Sequence, residues 1–406
     1  MNQESTPQGG ALSHLKVLDL SRVLAGPWAS QMLADMGAEV IKIEHPERGD
    51  DTRGWGPPYL KDAQGQPLES AYFLCANRNK RSVALDIATP EGQRQIRELA
   101  LQSDVLVENF KVGGLARYGL DYASLSALNP RLIYCSITGF GQTGPYAQRP
   151  GYDFMVQGMG GLMSLTGVPD GEDGAGPMKV GVALTDVLTG LHAVSGILAA
   201  VAWRERSGEG QHIDLALLDV QVSCLANQAQ NYLITGQSPR RLGNAHPSIV
   251  PYQSFPTADG EMILAVGNDS QFASFCQVAG RAAWSTDPRF ATNAARVAHR
   301  AELVPLLRQV TVQRTTAQWI DALEAANVPC GPINTLEQVF ADPHVQARGL
   351  RVDLPHPVAG ATPGVASPLR FSKTPVRYRR AAPALGADTE SVLAELQAAR
   401  SPDHPE

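Results

Sequence analysis

The chain has 406 residues, of which 43% are hydrophobic and 18% are charged, and its formal net charge is -6 at pH 7. This composition is typical of a globular protein, and the length suits two domains or one large one. The mild negative charge, with scattered basic residues, argues against a nucleic-acid-binding surface.

Five dispersed cysteines indicate a reducing compartment rather than a disulfide framework. The sequence has no CxxC pair or HExxH segment, so we expect no metal site. The polar N-terminus lacks the apolar core of a secretory signal, and the longest apolar stretch, residues 191–203, is too short to span a bilayer. We therefore expect a cytoplasmic protein that acts away from membranes.

The N-terminal half alternates predicted strands and helices. A helix that begins near Ala25-Gly26-Pro27 and stops at Gly37 separates the first two strands, and a helix over 89–102 has Thr89 as its expected cap. This alternation indicates a parallel sheet with right-handed crossovers. The predicted strands are 15–20, 39–44, 82–86, 104–107 and 132–137.

The middle of the chain contains two glycine- and proline-rich loops, at 139–153 and 168–177, followed by a long apolar helix that reaches about residue 206. A strand over 212–219 and a helix to about 234 come next. Asp259-Gly260 then indicates a hairpin, and helices are predicted from 270 and over 315–327. These patterns predict an α/β protein with a large domain at 11–225, a small α/β domain at 245–328, a return to the large domain at 329–385, and tails at 1–10 and 386–406.

Several well-known catalytic motifs are missing from the sequence. No GxGxxG follows the first strand and no GxxxxGK[ST] occurs, which argues against the common nucleotide-binding loops. GxSxG is absent too, so an α/β-hydrolase is unsupported. Ala25-Gly26-Pro27 at a helix N-terminus is compatible either with phosphate binding or with an ordinary strand-to-helix turn.

Asp186 stands at the start of the long apolar helix, after the apolar run 180–184 and one turn before Gly190. One interpretation is a helix cap, since aspartate is favoured there and the helix dipole stabilises its charge. The other is a buried nucleophile that attacks an activated acyl group. The two are compatible, because the helix terminus that favours a cap would also keep the carboxylate ionised.

Six segments occur in a characteristic order: LDLSRVLAGP at 18–27, GAEVIKIE at 37–44, GDDTRGW at 49–55, NKRS at 79–82, VENF at 107–110 and the Asp186 segment. In this order they resemble the family III CoA-transferases, the group of formyl-CoA:oxalate and carnitine CoA-transferases. Three further segments, at 226–234, 245–255 and 328–334, resemble the succinate–glutarate branch of that family. The resemblance extends over about residues 14–375.

This resemblance implies a homodimer of two interlocked chains, each with a Rossmann-like large domain and a smaller domain. It implies that Asp186 is the nucleophile, which forms an acyl-aspartyl anhydride and then an aspartyl-CoA thioester. Coenzyme A is then a substrate, and no cofactor is permanently bound. His45 stands where formyl-CoA transferase relatives carry arginine. Residues implied to contact CoA or lie near it are Val23, Leu24, Ala25, Lys80, Asn109, Phe110, Arg117, Tyr118 and Tyr152, with Gly243 as a candidate oxyanion donor.

More than one function is compatible with the sequence. A 2-methylacyl-CoA racemase would need a second base, but Tyr152 occupies the position of the racemase histidine and is a weak base at neutral pH. A CoA-binding protein without activity is also compatible with the fold, as is a formyl-CoA:oxalate or carnitine-type transferase. The main hypothesis is CoA transfer from succinyl-CoA to a dicarboxylate such as glutarate. Candidate cations for the distal carboxylate are Arg22, Arg53, Arg240, Arg241 and His246.

Overall fold

The computed structural model describes residues 9–399. Within that range the strands are Lys16–Asp19 (β1), Glu39–Glu44 (β2), Tyr59–Lys61 (β3), Pro67–Ser70 (β4), Lys80–Ala84 (β5), Val105–Glu108 (β6), Ile133–Thr138 (β7), Gly167–Val168 (β8), Gly176–Pro177 (β9), His212–Ala216 (β10), Tyr252–Pro256 (β11), Glu261–Ala265 (β12), Cys330–Pro332 (β13), Arg351–His356 (β14) and Gly360–Val365 (β15).

The α-helices of the same range are Ala25–Asp35 (α1), Ala71–Cys75 (α2), Pro90–Leu101 (α3), Tyr122–Leu128 (α4), Asp153–Met159 (α5), Leu162–Leu165 (α6), Leu184–Ser207 (α7), Leu217–Ser223 (α8), Ala226–Thr235 (α9), Asp269–Val278 (α10), Asn293–Ala298 (α11), Arg300–Thr311 (α12), Thr316–Ala325 (α13), Leu336–Ala341 (α14), Pro343–Ala347 (α15) and Thr389–Ala398 (α16). Short 3-10 helices occur at Asp51–Gly54, Ala116–Tyr118 and Ala282–Ser285.

The chain forms two compact units, and each is discontinuous in sequence. The first contains the chain up to Leu162, Lys179–Gln237 and the chain from Gln346 onward. The second contains Met163–Met178 and Ser238–Val345. The chain therefore enters the second unit earlier than the predicted boundary at 245, through the loop before α7, and returns to the first unit later than the predicted residue 329.

The main sheet of the first unit, as described within residues 9–399, has six parallel strands in the order β10-β7-β6-β1-β2-β5. The chain starts in the middle, builds to the β5 edge, and then returns to β1 to build toward β10. This is the strand order of a Rossmann-type doubly wound sheet, and its topological switch point lies between β1 and β6. The predicted strands of the N-terminal half are confirmed, with ends shifted by at most two residues.

Helices cover both faces of the sheet. On one face α1 and α7 bury small and branched side chains, including Ala29, Ala193 and Ile197, against the strands. On the other face α3 and α4 pack with α16, whose Val392 and Leu396 are buried. The prediction of a tail over 386–406 is thus wrong for the α16 segment, because these two residues, four apart, form an apolar stripe on one helix face.

Helix α7 is longer than the apolar run suggested. Its 24 residues are enough, by length and composition alone, to cross a membrane, so the expectation of a segment too short to span a bilayer was wrong. Half of its most apolar window is buried inside the structure, and Ala193, Val194 and Ile197 of α7 pack in the core of the first unit. Gly208 ends it in a left-handed conformation, with φ of 81°.

Two other segments differ from the prediction. Strand β10 ends at Ala216 rather than at 219, because Leu217, Val220 and Gln221 follow helical spacing and are buried on one face of α8. The exposed loop over 168–177 is closed at its ends by the short β8-β9 ladder.

The second unit contains an antiparallel sheet in the order β11-β12-β13, and the predicted Asp259-Gly260 hairpin joins its first two strands. Helices α10, α12 and α13 pack on it around a core that includes Phe255, Phe275 and Trp319. A capping box at Thr315 begins α13, which confirms the predicted start of that helix.

Candidate active site

A cavity of about 210 Å³ lies in the first unit at the switch point of the sheet. The segments after β1, β6 and β7 form its walls, together with the N-terminal residues of α1 and α7. In doubly wound sheets, ligands bind in this crevice at the carboxyl ends of the strands. The lining residues are Arg22, Val23, Leu24, Ala25, Asp51, Asn109, Phe110, Lys111, Val112, Ile137, Thr138, Gly139, Ala147, Arg149, Pro150, Gly151, Tyr152, Asp186 and Leu217.

Asp186 is the third residue of α7 and is 8% exposed. It does not cap the helix: the N-cap is Ala183, which offers no side-chain hydrogen bond. The capping role belongs to Asp153, whose Oδ2 accepts from the backbone N–H groups of Thr185 at 2.8 Å and of Asp186 at 3.2 Å. The cap interpretation of Asp186 is therefore wrong, and its carboxylate is left for other chemistry.

Burial, together with the nearby charge of Asp153, raises the pKa of Asp186 to about 7. No hydrogen bond to the Asp186 carboxylate offsets this within residues 9–399. Desolvation and a like charge thus oppose the ionisation that the helix terminus was expected to favour. At neutral pH the site holds a poorly solvated carboxylate near its titration point, a state suited to a nucleophile.

A polar network fixes Asp153 in place. Gln157 donates from Nε2 to Asp153 Oδ1 at 2.7 Å and accepts from Val180 N–H at 2.9 Å. Beside it, Thr185 Oγ1 donates to Gln221 Oε1 at 2.7 Å. Sequence reasoning missed Asp153, because its contact with Asp186 joins positions far apart in the chain. Its place in the first turn of α5 is a weak signal of a capping acid.

We predict that kcat/KM rises with pH through an apparent pKa near 7, because attack requires ionised Asp186. Asp153→Asn should move this inflection to lower pH, since it removes the like charge while its amide oxygen can still accept from the helix N–H groups. Asp153→Ala should also remove the cap and cost about 1 kcal/mol of stability. The check is a pH–rate profile of the three proteins, and identical inflections in wild type and Asp153→Asn would contradict the prediction.

Most of the predicted contact residues meet at this cavity. Val23, Leu24, Ala25, Asn109, Phe110 and Tyr152 all line it together with Asp186. Tyr152 is 63% exposed. Gly26 permits the tight turn into α1, because a Cβ there would lie 2.2 Å from Ser21 Oγ.

A second cavity of the first unit, of about 310 Å³, adjoins the same switch point. Phe110 lines both cavities, and Tyr118 lines the second one. His45 lies here, and Arg48 lines the same cavity. The exposed Arg117 lies over the Tyr118 ring at 4.5 Å but lines neither cavity.

Lys80 and Gly243 lie elsewhere. Lys80 is fully buried, and its Nζ donates to Asp19 Oδ2 at 3.1 Å, to Pro27 O at 3.0 Å and to Asn77 Oδ1 at 2.7 Å. Its ammonium therefore stabilises the interior and lines neither cavity. Gly243, with φ of 58°, belongs to the second unit and lines a separate cavity there. Its role in oxyanion binding stays a prediction.

The candidate cations for the distal carboxylate differ in their ion pairing and in the unit to which they belong. Arg53 is paired with Glu44 at 2.7 Å, and Arg241 pairs with Asp170, so both are already neutralised. Arg22 lines the Asp186 cavity but pairs with Asp51 at 3.0 Å. Arg240 and His246 belong to the second unit. Sequence reasoning missed two cations that do line the cavity, Lys111 and Arg149.

No group of three or more His, Cys, Asp or Glu side chains that could hold a metal ion occurs within residues 9–399. The arrangement at hand is instead a buried carboxylate, two helix N-termini and several cations around one cavity. Such an arrangement suits acyl transfer to and from a carboxylate.

Comparison with known proteins identifies the family. A family model for CoA-transferase family III matches residues 12–389. A succinate–glutarate CoA-transferase of Agrobacterium fabrum is 57% identical over 386 residues, 95% of this chain and 96% of that protein. A succinyl-CoA:glutarate CoA-transferase of Mus musculus is 44% identical, over 95% of this chain and 86% of its own length.

A solved structure agrees with this. A CaiB/BaiF family protein from Brucella suis superposes with a TM-score of 0.85 and 51% sequence identity, covering 96% of this chain and all of that one. The family model and the long relatives named CoA-transferases favour an enzyme over a CoA-binding protein without activity. The chain therefore belongs to CoA-transferase family III and is an enzyme of that class.

Proposed function

We propose that this enzyme moves CoA from succinyl-CoA to glutarate, with Asp186 as the covalent nucleophile. The choice of substrates is supported by two relatives named for that reaction. Their sequences are 57% and 44% identical to this one over nearly the whole chain. The observation that carries the mechanism is the Asp186 carboxylate, which is buried, makes no side-chain hydrogen bond within residues 9–399 and lines the cavity at the switch point.

The proposed reaction begins when an Asp186 oxygen attacks the thioester carbonyl. The C–S bond breaks, CoA leaves as the thiolate, and a succinyl-aspartyl anhydride remains. The thiolate then attacks the aspartyl carbonyl, which releases succinate and forms an aspartyl-CoA thioester. Each bond made is balanced by one broken, so the site needs no external oxidant or acid.

The second half reverses these steps with the new acid. A glutarate carboxylate attacks the aspartyl-CoA carbonyl and expels the thiolate, giving a glutaryl-aspartyl anhydride. The thiolate then attacks the glutaryl carbonyl, so that glutaryl-CoA forms and Asp186 is regenerated as a carboxylate. The reaction thus returns Asp186 to its ionised starting state. Because the pKa of Asp186 is near neutrality, the same carboxylate serves both as a nucleophile and as a leaving group.

The second carboxylate of each acid needs a cation, and we propose Arg149. Its guanidinium stacks over the rings of Tyr146 at 4.5 Å and Phe140 at 5.3 Å, which orients its planar fork. Within residues 9–399 it pairs with no carboxylate, whereas Arg22 in the same cavity is neutralised by Asp51. An oriented, unpaired guanidinium can take a carboxylate in two parallel hydrogen bonds.

Arg149→Met should therefore raise the KM for glutarate by about tenfold or more, since a charge-assisted bidentate contact is lost. Free CoA has no distal carboxylate, so its Kd should be unchanged. Lys111→Met is the matched control, because it removes a cation of the same cavity that lacks a planar fork. The measurement is a panel of mono- and dicarboxylic acids with succinyl-CoA, read by mass spectrometry of the CoA esters.

Two outcomes of that panel would contradict the proposal. A weaker Kd for CoA with an unchanged KM for glutarate would assign Arg149 to the CoA phosphates. Wild-type turnover with glutarate no faster than with a monocarboxylate of equal length would reject a dicarboxylate acceptor altogether.

We also propose that the enzyme is a homodimer. Support comes from exposed apolar side chains on helices of the first unit. Leu191 on α7 is one of them, and Leu233 and Ile234 on α9 are 72% and 73% exposed. Leu233 and Ile234 are neighbours on α9, and exposed apolar surface of this kind is typical of subunit interfaces. A monomeric mass in sedimentation equilibrium would contradict this proposal.

A further inference from the structure

The segment that follows β1 forms one wall of the Asp186 cavity and contains an unusual backbone conformation. Val23 has φ of 72°, in the left-handed region that β-branched residues rarely adopt. Val23, Leu24 and Ala25 all line the cavity, and α1 begins directly after this turn. Such strain persists only where the surroundings enforce it, and it is common at functional sites.

Side chains from three different segments hold successive peptide groups of this wall. Lys42 Nζ on β2 donates to Ser21 O at 2.7 Å. Asn109 after β6 accepts from Arg22 N–H at 2.9 Å and donates to Arg22 O at 2.7 Å. Asp50 Oδ1 accepts from Val23 N–H at 3.2 Å. The wall is therefore fixed by side chains rather than by a strand partner.

Lys42 and Asp50 also bind each other. Lys42 Nζ lies 2.9 Å from Asp50 Oδ2, and both side chains are completely buried. Burial opposes the charge on Lys42, but Asp50, Asp19 and Glu44 outweigh it and raise the pKa of Lys42. Burial likewise opposes the charge on Asp50, but Lys42 and Thr52 lower the pKa of Asp50. Both members are thus held charged in the interior.

A buried ion pair of this kind is weak support for stability, because desolvation of both charges offsets much of their attraction. Specific geometry is its better-supported benefit. Lys42 holds the carbonyl of Ser21, two residues before the strained Val23, and Asp50 holds the N–H of Val23 itself.

We propose that Lys42 and Asp50 are positioning residues for CoA transfer: together they hold Val23 in its left-handed conformation and so set the wall that faces Asp186. Neither residue needs to touch the reacting atoms. This inference rests on CoA transfer at the Asp186 cavity, and it is independent of which acid accepts the CoA.

The test uses the double variant Lys42→Met/Asp50→Asn, which removes both buried charges at nearly constant volume. Its kcat should fall by about tenfold to a hundredfold, as a small misplacement of an active-site wall can cause. The Kd for free CoA should change by less than about threefold, because Phe110 and Tyr152, which belong to other walls of the Asp186 cavity, keep their places. A split between kcat and Kd separates positioning from general destabilisation.

Val23→Gly supplies the diagnostic rescue. Glycine adopts positive φ without strain, so it removes the need for the pair. Added to the double variant it should restore kcat by about fivefold or more, whereas in the otherwise wild-type chain it should give no increase. This non-additive coupling is what a purely structural role would not produce.

The matched control is another ion pair of the first unit, remote from the cavity. Arg204 and Asp104, 2.9 Å apart, lie at the opposite end of β6 from Asn109. Arg204→Met/Asp104→Asn should lower thermal stability without lowering kcat of the folded protein, and Val23→Gly should rescue nothing in it.

Two results would overturn the proposal: a wild-type kcat in Lys42→Met/Asp50→Asn, or the same proportional effect of Val23→Gly in both backgrounds. If the double variant fails to fold, Asp50→Asn with and without Val23→Gly gives the same comparison, and additivity there is equally decisive. Because the readout is the rate of CoA transfer to any accepted acid, a failure of the glutarate assignment leaves the test intact. A failure of the Asp186 assignment is detected separately, with Asp186→Asn.

Discussion

Asp186→Asn should abolish CoA exchange, with a loss of at least about 10³-fold in kcat, while the Kd for CoA changes little. The amide cannot form an anhydride, so the covalent route is closed. The CoA-binding surface should survive, because most of the cavity lining comes from other segments, and the N–H groups at the start of α7 are held by Asp153 rather than by Asp186. The measurement combines exchange kinetics with binding of free CoA.

Trapping gives an independent readout of the same prediction. Wild-type protein incubated with succinyl-CoA should gain a CoA-sized mass on the peptide that contains Asp186, and the variant should not. Asp173→Asn is the matched control, because Asp173 is an exposed aspartate of the 168–177 loop in the second unit. Substantial exchange by Asp186→Asn, once deamidation back to aspartate is excluded by mass, would reject Asp186 as the nucleophile.

Local patterns were sufficient to predict the elements that build this site. Alternating apolar runs located β1, β2, β5, β6 and β7, and their βαβ succession implied a parallel sheet. The switch point follows from strand order, which depends on which strands pair across the sheet and is not written in any local pattern. The resemblance to family III implied that residues 23–25 and Asn109 lie near CoA, but only the pairing of β1 with β6 shows why they meet.

The burial of Asp186 was predicted, but the electrostatics of its surroundings were not. Its position before an apolar helix indicated burial, which the structure confirms. The direction of its pKa shift was not predicted: burial, the larger cause, raises the pKa, and the charge of Asp153 on another helix raises it further. Lys42 and Asp50 were missed for a similar reason: a lysine in the middle of a strand gives no hint that it will be buried against a loop aspartate.

The same electrostatics predict that Asp186→Asn makes the protein more stable at alkaline pH. The folded-state pKa of Asp186 is about 7, above its ordinary value of 3.8. Between about pH 4 and pH 7 the folded state therefore keeps a proton that the unfolded state has lost, and stability falls as pH rises through this window. Above pH 7 the full cost of a buried, unpaired charge remains, at most roughly 4 kcal/mol for a shift of this size.

Asparagine carries no such cost, so urea unfolding should show Asp186→Asn to be more stable than wild type at about pH 8, with the difference shrinking toward about pH 4.5. Asp173→Asn should show no comparable change between the two pH values, since its side chain is exposed. A difference that is the same at both pH values would mean that Asp186 titrates near its ordinary pKa. A gain confined to high pH, in a variant without turnover, would mean that the enzyme keeps a destabilising charge because catalysis requires it.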